Sequence, residues 1–543
     1  MFFTKQKRLS KKAASSSSFF LNEMVVTLVM IRKVVWKTNN QDQLSLLPPS
    51  YDDLVPKNHP VRIVNTILDQ IDLSVLEKTY KGGGTSSYHP KLLLKILIYA
   101  YLRNLYSSRK IEEALKENLH FMWLSGNARP DHNTINNFRS GKLKGQFKKI
   151  FNQVVVLLAE QGYLSLKDIY VDGTKIEANA NRYTFVWAKS IKTSRKRIEK
   201  QLKELWSYVE KVYQDEEQRP NTPNFEAIDP DKVSHTIDQI NAALKDKVVD
   251  KKVKQKLNYA KKNWPKNVKK YNKQEQQMGS RNSMSKTDPD ATFMRMKDDH
   301  MQNGQLKPGY NLQAGTNNQF IVNYTLAQTT SDSTTLIDHV EEFIGSYHQK
   351  PEELTADAGY GSEENYADLE AKGIEAFVKY NYFHKEQQEE EKKETNKKPF
   401  TGNKLHYNTA QDSYYCPMGQ AMPNIGSYTR ETKKGYLQTI NRYQAKNCLG
   451  CPIRGVCHKA KGNRIVERNH NLVRLKAKAK EKLLSPQGIA HQKQRCWDVE
   501  AVFGNIKQNM NFKRFFLRGI DKVETEIGLV AMAHNLKKVT LRL

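Results

Sequence analysis

The apolar pattern of this chain changes its period between Glu160 and Tyr163, and that change limits what the chain can fold into. Upstream, HPKLLLKILIYAYLRNLY carries apolar residues around most of a helix, with Pro90 where a first helical turn tolerates it. SSRKIEEALKEN then reads as an amphipathic helix with serines fit to cap it. It is followed by the aromatic stretch His120 to Leu124, a Gly-Asn-Ala-Arg-Pro break and a short polar helix opened by Asp131. Downstream, YLSLKDIYVDGTKIEANA alternates apolar and polar residues around Ile169, Val171 and Ile176, as a strand or hairpin does. GYNLQAGTNNQFIVNYTLAQ reads as two strands joined by an Asn-Asn turn. LIDHVEEFIGSY, ELTADAGYG, EENYADLEAKG and IEAFVKY then alternate helix with strand. These patterns predict an α/β fold, a mixed sheet flanked by helices behind an all-helical N-terminal domain.

Two insertions interrupt that plan. From Ile191 apolar residues recur at Ile198, Leu202, Leu205, Val209 and Val212, a heptad-like seam that predicts a long helical hairpin through about Gln277. Arg219 to Pro230 would be its turn, and the basic second arm is open to solvent or to DNA. The block EQQEEEKKETNKK lacks apolar residues and reads as an exposed connector to a cysteine-bearing insert. From Pro486 a long helix rich in Lys and Arg would end the chain. The expected divisions are a disordered extension over 1–44, a helical DNA-binding domain over 45–160, and the first part of the core over 163–385, with its helical insertion at about 187–280. The connector and Cys-rich insertion follow over 386–470, and 486–543 completes the core.

Charge narrows the function. The chain has 88 Lys and Arg against 58 Asp and Glu, a net of +30, which calls for a polyanionic partner, most simply nucleic acid. No stretch of 18 apolar residues is present, so no membrane role is expected. The segment DHNTINNFRSGKLKGQFKKI has the composition of a DNA-touching helix in a helix-turn-helix-like arrangement, with Arg139 as its candidate contact. Five cysteines in so long a chain do not make a disulfide framework, which implies a reducing compartment. Cys416, Cys448, Cys451 and Cys457 fall in YYCPMG and NCLGCPIRGVCHK, a set that could hold structural zinc, with His458 able to replace Cys457. Cys496 stands apart.

Three carboxylates stand where chemistry might place them. Asp172 follows the apolar IYV, Asp357 follows ELTA, and Glu500 sits in the helical VEAVFGNIKQN. Asp168, Asp288, Asp290, Asp498 and Glu524 compete with them, and Asp288 and Asp290 read best as turn formers. Seven residues advance an ideal helix by about 700°, within about 20° of the start, so Lys493, Glu500 and Lys507 would share one face. Arg495 would fall about 140° from Glu500.

In that order, YVDGTKIEANANRY, TDPDA, GYNLQAGTN, LTADAGYGSEENY and VEAVFGNIKQNMNFKRFFLRG resemble the pieces of a bacterial insertion-sequence transposase of the DDE class with an RNase H-like core. HPKLLLKILIYAYLRNLYSSRKIEEAL and PDHNTINNFR resemble that family's helical N-terminal domain. The resemblance implies that Asp172, Asp357 and Glu500 are the catalytic carboxylates and hold Mg²⁺ or Mn²⁺. It implies cleavage at the element's terminal inverted repeats in double-stranded DNA and strand transfer to a target, by a homodimer on DNA in the bacterial cytoplasm at the nucleoid. The family's Tyr-x2-Arg-x3-Glu-x6-Lys signature is half kept. Glu500 and Lys507 are present, but Cys496 stands at the Arg position and Lys493 at the Tyr position, so Lys507, Lys493 and Arg495 are the candidate DNA contacts. A catalytically inactive DNA-binding regulator and an RNase H-like nuclease without strand joining are the alternatives.

Overall fold

The computed structural model describes residues 49–80, 86–214, 221–225, 228–296, 304–391, 400–432 and 434–542. The expected extension over 1–44 lies outside the described residues. Six strands make the main sheet: β1 (Asp168–Glu177), β2 (Thr292–Arg295), β3 (Leu306–Asn317), β4 (Phe320–Ala327), β5 (Glu353–Ala356) and β6 (Glu375–Val378). β3 pairs antiparallel with β1 along one edge; along the other it takes β2 near its start and β4 over the rest. On the far side of β1, β5 and then β6 run parallel to it. An antiparallel meander joined through its first strand to a parallel pair is the mixed sheet that an RNase H-like core implies. β3 is buried from Pro308 onward. The β3–β4 turn falls on Asn318 and Gln319, with φ of 52° and 63°, one residue beyond the expected Asn-Asn pair.

One apolar core runs from Val55 to Val539 and includes the N-terminal helices, the sheet and the last helix, Ile520–Arg542. That last helix is buried on nearly every side. It packs against the helix Pro90–Leu102, itself sheathed in apolar contacts, and against β4. Buried amides fix its register: Asn535 accepts from the Ile321 amide and donates to the Ile321 carbonyl, both at 2.8 Å. Asp288 and Asp290 shape their loop and also hold the start of this helix, accepting from the Gly519 amide at 3.2 Å and the Ile520 amide at 2.9 Å.

The helical insertion has its own core around Trp206, Ile237 and Trp264 and grows from a small two-stranded base, Phe185–Trp187 with Ser283–Ser285. It holds three helices, Ala188–Val212, Pro230–Ala243 and Lys251–Met278, where a two-armed hairpin was expected. The second arm breaks because Asp250 accepts from the Lys252 amide at 2.7 Å and starts a new helix. The break carries neither Gly nor Pro, so periodicity alone passes over it. The expected connector is helical over Phe383–Glu391, and residues 392–399 lie outside the described residues. The cysteine insert forms a separate five-stranded sheet with a small core around Tyr414, Met422, Tyr443 and Cys448. The single terminal helix expected from Pro486 is interrupted twice by π turns, Cys496–Glu500 and Asn505–Asn509, and ends before Ile520. Among the described residues, no helix is long and apolar enough to cross a membrane.

Gly528 lets the last helix approach Phe147 and Tyr324 closely. A Cβ there would meet the Phe147 ring at 2.6 Å as well as the Tyr324 hydroxyl. Gly528→Ala is therefore expected to cost about 1–2 kcal/mol net, because overpacking outweighs a helix-propensity gain of about 1 kcal/mol. Urea unfolding checks this, and an unchanged or raised midpoint would contradict the packing.

Candidate active site

Val171, Ala356 and Val378 form one row across the parallel half of the sheet. The residues that follow them are Asp172, Asp357 and Lys379. Beyond this row β1 continues along β3, with Asp172 opposite Ala314, while β5 turns off into Ala358–Tyr360. The strands part here and leave a crevice beside the middle of β1 and beyond the carboxyl end of β5, close to the usual place for a ligand in such sheets. Asp172 accepts from the Gly173 amide at 2.7 Å and Asp357 from the Ala358 amide at 2.6 Å, which fixes one oxygen of each. Asp172, Thr174, Asp357, Arg495, Glu500 and Lys507 all line a cleft of about 330 Å³.

Glu500 reaches the cleft because its helix is not uniformly α. Over Cys496–Glu500 the backbone makes a π turn, which sets residues five apart one above the other. Arg495 and Glu500 are five apart, and the expected 140° between them disappears. The Arg495 guanidinium donates to Glu500 Oε1 at 3.3 Å and to Asp172 Oδ2 at 3.4 Å. Asp498 holds the turn: it is fully buried and accepts from the Gln319 amide at 2.8 Å, while the Gln319 side chain donates to the Trp497 carbonyl at 3.0 Å. Asp498, a competing acidic candidate, thus serves as an anchor. Lys493 is exposed and does not line the cleft, because the π turn between them spoils the seven-residue arithmetic that put it beside Glu500.

Arg139 requires a correction. It is 4% exposed, and its guanidinium donates to the Tyr106 carbonyl at 2.6 Å, the Tyr101 hydroxyl at 3.1 Å and Asn136 at 3.3 Å. No DNA phosphate reaches a group so enclosed, so Arg139 holds the N-terminal helices together. Nearby cations are also turned inward: Lys142 donates to the Thr79 carbonyl at 2.7 Å and Lys148 to Asn323 at 2.9 Å.

Lys379 was absent from the sequence-derived set. It is largely buried; burial and Arg495 push its ammonium pKa down, and Asp357, Cys496 and Glu500 oppose that shift. The signal for it was the lysine at the end of IEAFV, but only strand register sets it beside Asp357.

Among the described residues, no three His, Cys, Asp or Glu side chains converge closely enough to hold a metal ion as they stand. The donor chemistry of the cleft nevertheless suits a hard divalent cation, since carboxylates line it from three elements and the Arg495 cation already lies between two of them. In the cysteine insert, Cys416 accepts from the Gln420 amide at 3.3 Å and Cys448 from the Arg464 amide at 3.4 Å. Cys457 accepts from the Arg464 guanidinium at 2.7 Å. Nitrogen donors thus face three of the four sulfurs of the insert. Both ring nitrogens of His458 are buried without a hydrogen-bond partner, and burial together with Arg454 and Arg464 lowers its pKa, so a neutral imidazole is available there too.

The fold and cleft define an α/β protein that gathers acidic residues from β1, from the end of β5 and from a helix, with cationic helix residues, around one cleft. Two family models match the chain: "Transposase DDE domain" over residues 415–540 and "Transposase domain (DUF772)" over residues 49–141. Together they bear out the resemblance to insertion-sequence DDE transposases, whose function is transposition and whose partner is DNA. The first match takes in Glu500 and the cysteines and leaves Asp172 and Asp357 outside it. No curated protein and no solved structure matches the chain.

Arg495 is 7% exposed, and removing it leaves Asp172 without this buried counter-ion. Arg495→Ala is expected to lower stability in metal-free buffer by about 1–3 kcal/mol. That is less than a fully buried pair would cost, because Glu500 is more than half exposed. Chemical denaturation with EDTA present measures it, and a neutral result would mean that the ion pairs carry no weight.

Proposed function

We propose that this chain is a transposase that cleaves DNA phosphodiester bonds at its element's terminal inverted repeats and joins those ends to target DNA. The single observation that supports the reading is that Asp172, Asp357 and Glu500, 328 residues apart from first to last in the numbering, open onto one cleft. In this reading they hold Mg²⁺ or Mn²⁺, which when bound lowers the pKa of the attacking water or 3′-hydroxyl and offsets charge on the leaving oxygen. Arg495 and Lys507, on the cleft wall, hold the phosphate of the scissile strand, and Lys379 adds positive charge beside Asp357. Lys493, exposed on the same helical segment, contacts the DNA backbone outside the cleft. Two ends must be handled together, so the working form is a homodimer on DNA, at the nucleoid in the bacterial cytoplasm. The corresponding division of the chain is a DNA-binding helical domain over 45–160, a core over 163–385 with its insertion at about 187–280, a connector and cysteine insert over 386–470, and a completing helical region over 486–543.

In the cysteine insert we propose structural zinc on Cys416, Cys448 and Cys451, with Cys457 or His458 as the fourth ligand. Elemental analysis of purified protein should give one zinc per chain, lost in Cys451→Ser; a parent free of zinc would reject the site. For the main cleft, the test is labelled element-end DNA incubated with Mg²⁺. Wild-type protein should cut and join it, and Asp172→Asn should lower the rate by about 10²–10³-fold or more while remaining folded by circular dichroism. Wild-type rates in that variant would end the assignment; cutting without joined product would leave a nuclease, and no cutting by the parent a DNA-binding regulator.

A further inference from the structure

A fourth acidic side chain lies beneath the cleft, outside the triad. Asp332 sits in the short turn Asp332–Thr334 between β4 and the helix Leu336–Tyr347. Its Oδ1 accepts from the Asn311 side chain at 2.6 Å and from the Gln313 side chain at 3.1 Å. The other end of Gln313 accepts from the Tyr360 hydroxyl. Gln313 is on β3 opposite Gly173, the residue after Asp172, and Tyr360 is three residues after Asp357. The chain Tyr360–Gln313–Asp332 therefore runs underneath the middle of β1 and the end of β5.

Two details give it direction. A carboxylate only accepts, so Gln313 must turn its NH₂ to Asp332, which leaves its carbonyl for the Tyr360 hydroxyl. Gly173 makes room, since a Cβ there would come within 2.7 Å of Asp332 Oδ1 and 2.8 Å of Gln313 Nε2. Burial, with Asp332, Asp172 and Asp357 close by, pushes the Tyr360 hydroxyl pKa well up, so it stays a donor at working pH.

We infer that Asp332 is a positioning residue for the cleft: through Gln313 and Tyr360 it sets the separation of the middle of β1, which carries Asp172, from the end of β5, which Asp357 follows. The inference rests on reading those two carboxylates as the metal-holding pair. Groups that support first ligands in this way are typically worth about 10–100-fold in metal affinity.

The experiment is Mn²⁺ titration calorimetry on the full chain, with circular dichroism and melting of the metal-free protein alongside. Asp332→Ala and Tyr360→Phe should each weaken Mn²⁺ binding by about 10-fold or more with secondary structure retained. Gly173→Ala, which drives a methyl into the chain of bonds, should do the same. Asp332→Asn keeps an accepting oxygen and should stay within about 3-fold of wild type, well inside the 10–100-fold range of a lost support. Tyr360→Phe keeps its ring and is the variant least exposed to misfolding. Wild-type affinity in both Asp332→Ala and Tyr360→Phe would overturn the inference. So would an Asp332→Asn loss as deep as that of Asp332→Ala, which would make Asp332 a direct ligand. Asp172→Asn, titrated in parallel, separates the two levels. If it too binds Mn²⁺ as wild type does, the reading of the carboxylate pair fails; if it loses binding while the Asp332 variants do not, only the positioning role fails.

Discussion

The cleft depends on the parallel register that aligns Val171, Ala356 and Val378. Backbone hydrogen bonding between neighbouring strands sets that row, and every side chain that follows it projects past the end of the parallel pairing. Two acidic residues and one basic residue occupy those places. A slip of one residue would move Asp172 or Asp357 to the opposite face, so burial of Val171, Ala356 and Val378 in the core also maintains the site.

The third carboxylate reaches the cleft by a different device. Its helix leaves the α pattern at Cys496 because Asp498 is drawn down to the β3–β4 turn, where Gln319 has a positive φ and offers its amide outward. The same Gln319 accepts from Lys538 at 2.7 Å, and its carbonyl is 2.8 Å from a ring nitrogen of His534, both on the last helix. One turn residue thus ties the Glu500 segment, the sheet and the closing helix together. The N-terminal helices join from the other side: Tyr106 donates to the Met510 carbonyl at 2.6 Å and Asn104 to the Asn509 carbonyl at 3.0 Å. The end of the Glu500 segment is fastened to elements that begin 400 residues earlier in the chain.

The two insertions leave this arrangement intact because each brings its own core. The helices around Trp206 and Trp264 bury apolar surface among themselves, and the cysteine sheet does so around Tyr443. A segment that satisfies its own apolar faces can be carried at a connection without disturbing the strands it joins.

Much was legible in the amino-acid order alone. Period-two alternation marked β1, β3 and β4, the all-round apolar run marked the helix at Pro90, and the acidic residues after IYV and ELTA stood out because an Asp directly after an apolar strand segment has a limited set of uses, although β1 runs on past Asp172 to Glu177. These features are local, and 2.0 and 3.6 residue periods carry them. What the sequence could not settle was which way a side chain points once distant partners compete for the backbone. Arg139 has the composition of a DNA-facing residue, yet Tyr101 and Tyr106 enclose it. Arg495 faces Glu500 only because a contact with Gln319, more than 170 residues away, widens one helical turn. Asp332 has no motif at all and enters the site through two bonds from β3. Local pattern determines elements and their ends; the facing of Arg139, Arg495 and Asp332 is set by contacts between residues far apart in the chain, and those exist only after folding.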